Sequence, residues 1–316
     1  MAKKFLQGTI TALVTPFKNK GDIDFKAFEK LIDFQIMSQT NAILVAGTTG
    51  ESSTLTVKEK MALIIRAVEY SAGRIPVIVN TGTNDTHESL DLTAFAFDQG
   101  ANAALIITPY YNKPTQDGMF EHFNLIATNV NIPQIIYNVP SRTGVNILPE
   151  TVAALANNCP NIVGIKEASG HLGQMMEIIK TTPEDFAVLC GDDALTLPAI
   201  ALGAKGVISV ISNYAPVEFG KMVNFALKSK FKEAREIHYK LLDLMNLNFI
   251  ESNPIPVKFI LSELGYIKDN YRMPLFPLKP QNKKKIKSAL KAAAVSYTHL
   301  RAHETPEHLV CRLLLE

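Results

Sequence analysis

The sequence predicts a single eight-stranded parallel β/α barrel, a TIM barrel, followed by a helical extension. Two observations carry this. Eight short apolar runs, rich in Val, Ile, Leu and Ala, recur along the first ~230 residues and alternate with amphipathic stretches, one per run. The runs are nearly continuously apolar, which is the pattern of parallel strands covered on both faces. A third observation weighs against the main competitor. An open doubly wound sheet usually carries a glycine-rich phosphate turn after its first strand. Here the first run ends in Thr15-Pro16-Phe17.

Taken in order, strands are expected over residues 9–15, 42–46, 76–80, 104–108, 134–138, 162–166, 187–190 and 206–211. Gly, Pro, Asn, Asp or Ser clusters close each one. Between them, helices are expected over 25–37, 58–72, 86–97, 116–130, 149–156, 172–179, 195–202 and 216–227. In the first, Phe28, Leu31, Ile32 and Ile36 fall at helical spacing. Asp24, Thr56 and Thr86 are N-cap candidates, and Gly100 and Gly203 are C-cap candidates. Beyond residue 227 the strand signals stop. Helices are expected over 231–248, 255–264 and 282–294, punctuated by Pro254, Pro256, Pro274 and Pro277. The expected organisation is a catalytic barrel at 1–228, a helical extension at 229–294 and a tail at 295–316.

Composition excludes several classes of function. The chain has 316 residues and a formal net charge of +2, with its basic residues scattered apart from Lys283, Lys284, Lys285 and Lys287. That balance argues against a nucleic-acid partner. Cys159, Cys190 and Cys311 are far apart and odd in number, so neither a disulfide framework nor a zinc site is supported. No apolar run approaches the ~20 residues needed to span a bilayer, and no signal core opens the chain. A cytoplasmic location, no membrane partner and no metal are expected.

In such a barrel the active site lies at the C-terminal ends of the strands. Lys166 closes the apolar run Ile162-Val163-Gly164-Ile165. Burial there disfavours the charged ammonium, and a neutral amine is a Schiff-base nucleophile for a carbonyl. The alternative is a lysine paired with a carboxylate at the rim. Gly47-Thr48-Thr49-Gly50-Glu51-Ser52 places hydroxyls and backbone N–H groups at another strand end, able to hold a small carboxylate or merely to make a capped turn. Tyr111 and Tyr137 are phenols at strand ends, and Arg142 could clamp a carboxylate bidentately or simply stay solvated. His87, His122, His171 and His238 have neither metal spacing nor triad context and read as structural. Asp192 and Asp193 read as capping and loop contacts.

Together these motifs resemble the dihydrodipicolinate synthase family of the pyruvate-dependent class I aldolases, which includes N-acetylneuraminate lyase. The resemblance spans roughly residues 6–293. It rests on Gly47-Thr48-Thr49-Gly50-Glu51, Pro109-Tyr110-Tyr111-Asn112, Tyr137-Asn138-Val139-Pro140-Ser141-Arg142-Thr143-Gly144 and Lys166-Glu167-Ala168-Ser169-Gly170. Gly206-Val207-Ile208-Ser209 and Asn253-Pro254-Ile255-Pro256-Val257-Lys258 add to it.

The resemblance implies a lyase that condenses pyruvate with L-aspartate 4-semialdehyde to give 4-hydroxy-tetrahydrodipicolinate, in lysine and diaminopimelate biosynthesis, without a cofactor. It implies that Lys166 forms the imine and Tyr137 moves protons. Thr49 and Tyr111 complete a relay, Tyr111 from a neighbouring subunit. Thr48 and Thr49 hold the pyruvate carboxylate beside Ile208, and Arg142 binds the semialdehyde carboxylate. A homotetramer, a dimer of dimers, follows from the same resemblance. So does an effector cleft at Ser52, Ser53, Asn84, Glu88 and Tyr110, where Val57 and Lys60 replace histidines common in lysine-sensitive relatives. The alternatives are a 2-keto-3-deoxy sugar acid or N-acetylneuraminate lyase, disfavoured by Arg142, and a non-catalytic binding or regulatory barrel.

The tail carries a different resemblance. Residues 295–305 and 308–316 resemble an in-frame translation of a transposase-type sequencing adapter, with Pro306-Glu307 in its index portion. The tail is therefore expected to be foreign to the natural protein. A metal site drawn from His299, His303 and His308 would be spurious.

Overall fold

The computed structural model describes residues 4–293. The expected tail at 295–316 lies outside the described residues. Eight parallel strands close into a barrel in sequence order: β1 Gly8–Ala12, β2 Ala42–Val45, β3 Val77–Asn80, β4 Ala103–Ile107, β5 Gln134–Asn138, β6 Ile162–Glu167, β7 Ala187–Cys190 and β8 Gly206–Ser209. Closure pairs β1 with β8, where Ile10 stands opposite Ile208. Closure leaves no free strand edge.

Strand parity explains the near-continuous apolar runs. Ile10, Leu44, Ile78, Leu105, Ile135, Leu189 and Ile208 form one cluster inside the barrel. Their neighbours Ile43, Val79, Ile106, Ile136, Val188 and Val207 belong to the other, between barrel and helices. Both faces of every strand are thus buried. Gly164 on β6 is required by close approach, because a Cβ there would stand 2.4 Å from the Ala187 carbonyl oxygen.

The surrounding helices are α1 Phe25–Met37, α2 Val57–Ser71, α3 Thr86–Asp98, α4 Gln116–Asn129, α5 Pro140–Thr143, α6 Pro149–Asn158, α7 Leu172–Thr181, α8 Thr196–Ala201 and α9 Pro216–Leu227. Asp24 caps α1, and Thr56 caps α2 in a capping box with Glu59. Gly100 and Gly203 follow their helices at φ +82° and +111°. The expected cap Thr86 is displaced by one residue. Asp85 accepts from Glu88 N instead, and the Thr86 hydroxyl meets His122 Nδ1 at 2.9 Å. Asp85 has a carboxylate that reaches the third N–H, and so wins the cap. The four-residue α5 lies outside the expected helices, because one turn is too short to show a period.

The extension comprises α10 Phe231–Leu247, α11 Ile255–Glu263 and α12 Pro280–Ala292. On α12 the lysine run is partly spent locally: Lys283 pairs with Asp269 at 2.9 Å and Lys287 with Glu263 at 2.7 Å. Among the described residues no helix is long and apolar enough to cross a membrane.

Candidate active site

Register sets the centre of the site. Tyr137 on β5 stands opposite Lys166 on β6. Ile165 faces the helices, so the alternation of the strand turns Lys166 inward. Its Nζ lies 4.3 Å from the centroid of the Tyr137 ring. Both side chains are buried, at 6% and 5% exposure. Among the described residues no carboxylate pairs with Lys166, so the rim ion pair is not formed.

Behind this pair, the next residues of the same strands lock together. Asn138 Nδ2 donates to Glu167 Oε2 at 2.9 Å and to Asn146 Oδ1 at 2.8 Å. Gln174 Nε2 donates to the same Glu167 oxygen at 3.1 Å, and Ser169 N to its partner oxygen at 2.7 Å. A buried carboxylate with three donors is well satisfied. It fixes the register that holds Tyr137 against Lys166.

The loop after β2 turns sharply. Gly50 N and Ser52 N both donate to the Gly47 carbonyl, and Glu51 takes a left-handed φ of +58°. Thr15 Oγ1 donates to the Gly50 carbonyl at 2.7 Å. The turn buries Thr49 and leaves Thr48 half-buried. Glu51 points under the loop, where its Oε1 accepts from Lys258 Nζ of α11 at 2.5 Å, both side chains being fully buried. Burial lowers the pKa of Lys258, and Glu51 opposes the shift. Lys258 also lies 4.2 Å from the Phe17 ring centroid. Beside it Arg272 N donates to Glu51 Oε2, and the Arg272 guanidinium grips Glu59, lowering that carboxyl to about 2.

Thr48 and Arg142 open on one cavity of about 430 Å³ with Ser52, Ser53, Glu88 and Tyr110. One space therefore joins two of the four substrate candidates, Thr48 and Arg142, to four of the five effector candidates. Asn84 is not in its lining, but its carbonyl accepts from Asn112 Nδ2 at 2.9 Å. Lys60 enters the same cavity and is only 8% exposed. Burial lowers its pKa, and Glu88 opposes this. Tyr110 is raised, first by burial and then by Glu88. Val57 is 44% exposed.

Tyr111 stands apart: it is 88% exposed, with φ +74°. Its own chain leaves that phenol almost uncovered. Ile208 lies in the barrel interior with Tyr137.

The other expectations resolve locally. Asp192 Oδ1 accepts from Ala194 N and Leu195 N. Asp193, fully buried, accepts from Val210 N and Ile211 N, and burial pushes it up to about 6. His171 caps α7 by accepting from Gln174 N. Cys159 and Cys190 are buried and free. Among the described residues no cluster of His, Cys, Asp or Glu could hold a metal ion.

Asn253 was missed as a site residue. It is 6% exposed and lines the cavity; its Nδ2 donates to Thr49 Oγ1 at 3.1 Å, and its carbonyl accepts from Arg142 Nη2 at 3.2 Å. The Asn-Pro-Ile-Pro-Val-Lys motif was the available signal, but no local pattern shows what it touches.

A closed barrel with a buried amine and a phenol in register at its C-terminal mouth defines a barrel of the Schiff-base lyase type. The family follows from comparison. A model of the "Dihydrodipicolinate synthetase family" matches residues 5–293, and the chain belongs to that family. The 4-hydroxy-tetrahydrodipicolinate synthase of Sulfurihydrogenibium sp. (strain YO3AOP1) is 51% identical over 285 residues, covering 90% of this chain and 97% of that protein. The crystal structure of dihydrodipicolinate synthase from Aquifex aeolicus superposes with a TM-score of 0.90 at 50% identity, covering 92% of this chain and 98% of that one. The chloride-inhibited enzyme from Acinetobacter baumannii, complexed with pyruvate, gives 0.90 at 43% identity, covering 92% and 100%.

Proposed function

We propose that this chain condenses pyruvate with L-aspartate 4-semialdehyde to give 4-hydroxy-tetrahydrodipicolinate, in lysine and diaminopimelate biosynthesis. The observation that carries the reading is Lys166, buried and inward-facing beside Tyr137, in a chain of this family. The Lys166 amine adds to the pyruvate ketone, and loss of water leaves a protonated imine. That imine is an electron sink, so a methyl proton leaves and an enamine forms. The enamine carbon attacks the semialdehyde carbonyl, whose oxygen takes a proton. The amine of the second substrate then displaces Lys166 and closes the ring.

The remaining roles follow the positions. Tyr137 moves protons during imine and enamine formation, with Thr49 and a Tyr111 from a second subunit completing the relay. Thr48 and Thr49 hold the pyruvate carboxylate at the turn after β2, beside Ile208. Arg142 faces the shared cavity and binds the semialdehyde carboxylate. The exposure of Tyr111 supports at least a dimer, and a homotetramer is the assembly we propose. We read the barrel as 1–228 and the extension as 229–294, and place the enzyme in the cytoplasm. The test compares L-aspartate 4-semialdehyde with N-acetylneuraminate as substrates of the purified protein. Turnover of the semialdehyde with pyruvate supports the reading, and cleavage of N-acetylneuraminate alone overturns it.

A further inference from the structure

We propose that Asn253 is a positioning residue that fixes the direction of the Thr49 hydroxyl hydrogen. The proposal rests on the relay role of Thr49 given above. Asn253 lies outside the barrel, in the lead-in to α11, 204 residues from Thr49. The contact is nonetheless clamped at three points. Asn253 Nδ2 donates to Thr49 Oγ1, the Asn253 carbonyl accepts from Arg142, and Lys258 of α11 holds Glu51, two residues beyond Thr49. One nine-residue helix and its lead-in therefore hold the turn at Thr49 and again at Glu51.

A threonine hydroxyl has one hydrogen and two lone pairs. The Asn253 amide occupies one lone pair. Among the described residues Thr49 Oγ1 makes no other hydrogen bond. One donor and one acceptor remain, which is what a two-ended proton relay needs. Thr49 can then take a proton from one neighbour and pass one to the other without first breaking a bond to the protein.

The opposite amide orientation would work against this. It would turn Oδ1 toward Thr49 and consume the only hydrogen of the hydroxyl. In the observed orientation Oδ1 is buried and accepts no hydrogen bond. The carbonyl bond to Arg142 and the buried Lys258–Glu51 pair hold the backbone from which this amide is aimed.

The test measures the rate of imine formation at saturating pyruvate, without the second substrate, in the full-length protein and in Asn253→Ala and Asn253→Asp. Asn253→Asp keeps the shape but offers only acceptors at neutral pH, so it captures the Thr49 hydrogen. The expected rate losses are about 10-fold for Asn253→Ala and about 100-fold for Asn253→Asp, with pyruvate half-saturation nearly unchanged. Lowering the pH protonates the new carboxyl, restores a donor and narrows the gap between the two variants. A packing role gives the reverse order, because Asp is the better isostere; an Asp variant as fast as the Ala variant overturns the proposal. Should Asn253→Asp fail to fold, Asn253→Ala decides: a slower rate at unchanged half-saturation supports the proposal, and weaker half-saturation at unchanged rate overturns it. A wild-type protein that forms no imine removes the functional reading itself. Wild-type imine formation with the reversed order sinks only the Asn253 assignment.

Discussion

Lys166 Nζ sits 4.3 Å from the ring centroid of Tyr137, and the two residues are direct partners in the β5–β6 ladder. The proposed nucleophile and the proposed acid–base group are thus held by the strand register rather than by a loop. Side chains locked on rigid strands keep the tolerance that such chemistry requires. The consequences can be measured residue by residue.

Arg142→Ala should impair use of the semialdehyde far more than it impairs imine formation with pyruvate. Removing a charged hydrogen-bond donor should cost about 1.5–3 kcal/mol in kcat/KM for the second substrate. Equal losses in pyruvate trapping and in turnover would show Arg142 to be structural, a role its bond to the Asn253 carbonyl also allows.

L-Lysine should inhibit weakly or not at all. The cavity that joins Ser52, Ser53, Glu88 and Tyr110 already holds the buried cation Lys60. A second ammonium in that confined space meets like charge at reduced dielectric. Half-inhibition at sub-millimolar lysine would contradict this, and Lys60→Ala should raise sensitivity.

Lys258→Ala should destabilise the fold strongly, because it strands Glu51 as a buried unpaired charge. Breaking one side of such a pair costs about 3–5 kcal/mol, whereas Lys258→Met with Glu51→Leu should recover much of the loss. Denaturant titration of the single and double variants checks this. A single variant as stable as the wild type would show that water reaches Glu51.

The contribution of His122 to stability should fall as the pH drops from 6.5 toward 4, while Asp193, held up to about 6, acts in the opposite direction over much of that range. His122 is buried, and that burial pushes its pKa down to about 4. The folded state therefore binds the proton less well than the unfolded chain does. Its contribution is complete above 6.5 and is lost as pH falls toward 4. His122→Gln should therefore lose less Tm than the wild type between pH 6.5 and pH 4. An unchanged difference would show that His122 does not contribute.

The strands were legible because each is apolar on both faces, and Lys166 because it is the charged residue that ends such a run. The cap at Asp85 was missed by one residue, since Asp85 and Thr86 both carry acceptable caps. The helical turn α5 was too short to show a period. Asn253 and Lys258 were beyond reach for a different reason. Their partners lie 204 and 207 residues away, and such contacts exist only after the barrel closes and the extension folds back.

If Lys166 carries pyruvate as an imine, hydride reduction should fix the adduct on that residue. The decisive measurement is borohydride reduction in the presence of pyruvate, followed by mass spectrometry of the intact protein and its peptides. One reduced pyruvate adduct per chain is expected, on the peptide containing Lys166, and none in a folded Lys166→Ala variant. An adduct that persists in Lys166→Ala, or a wild-type protein that traps no pyruvate, would contradict this role of Lys166.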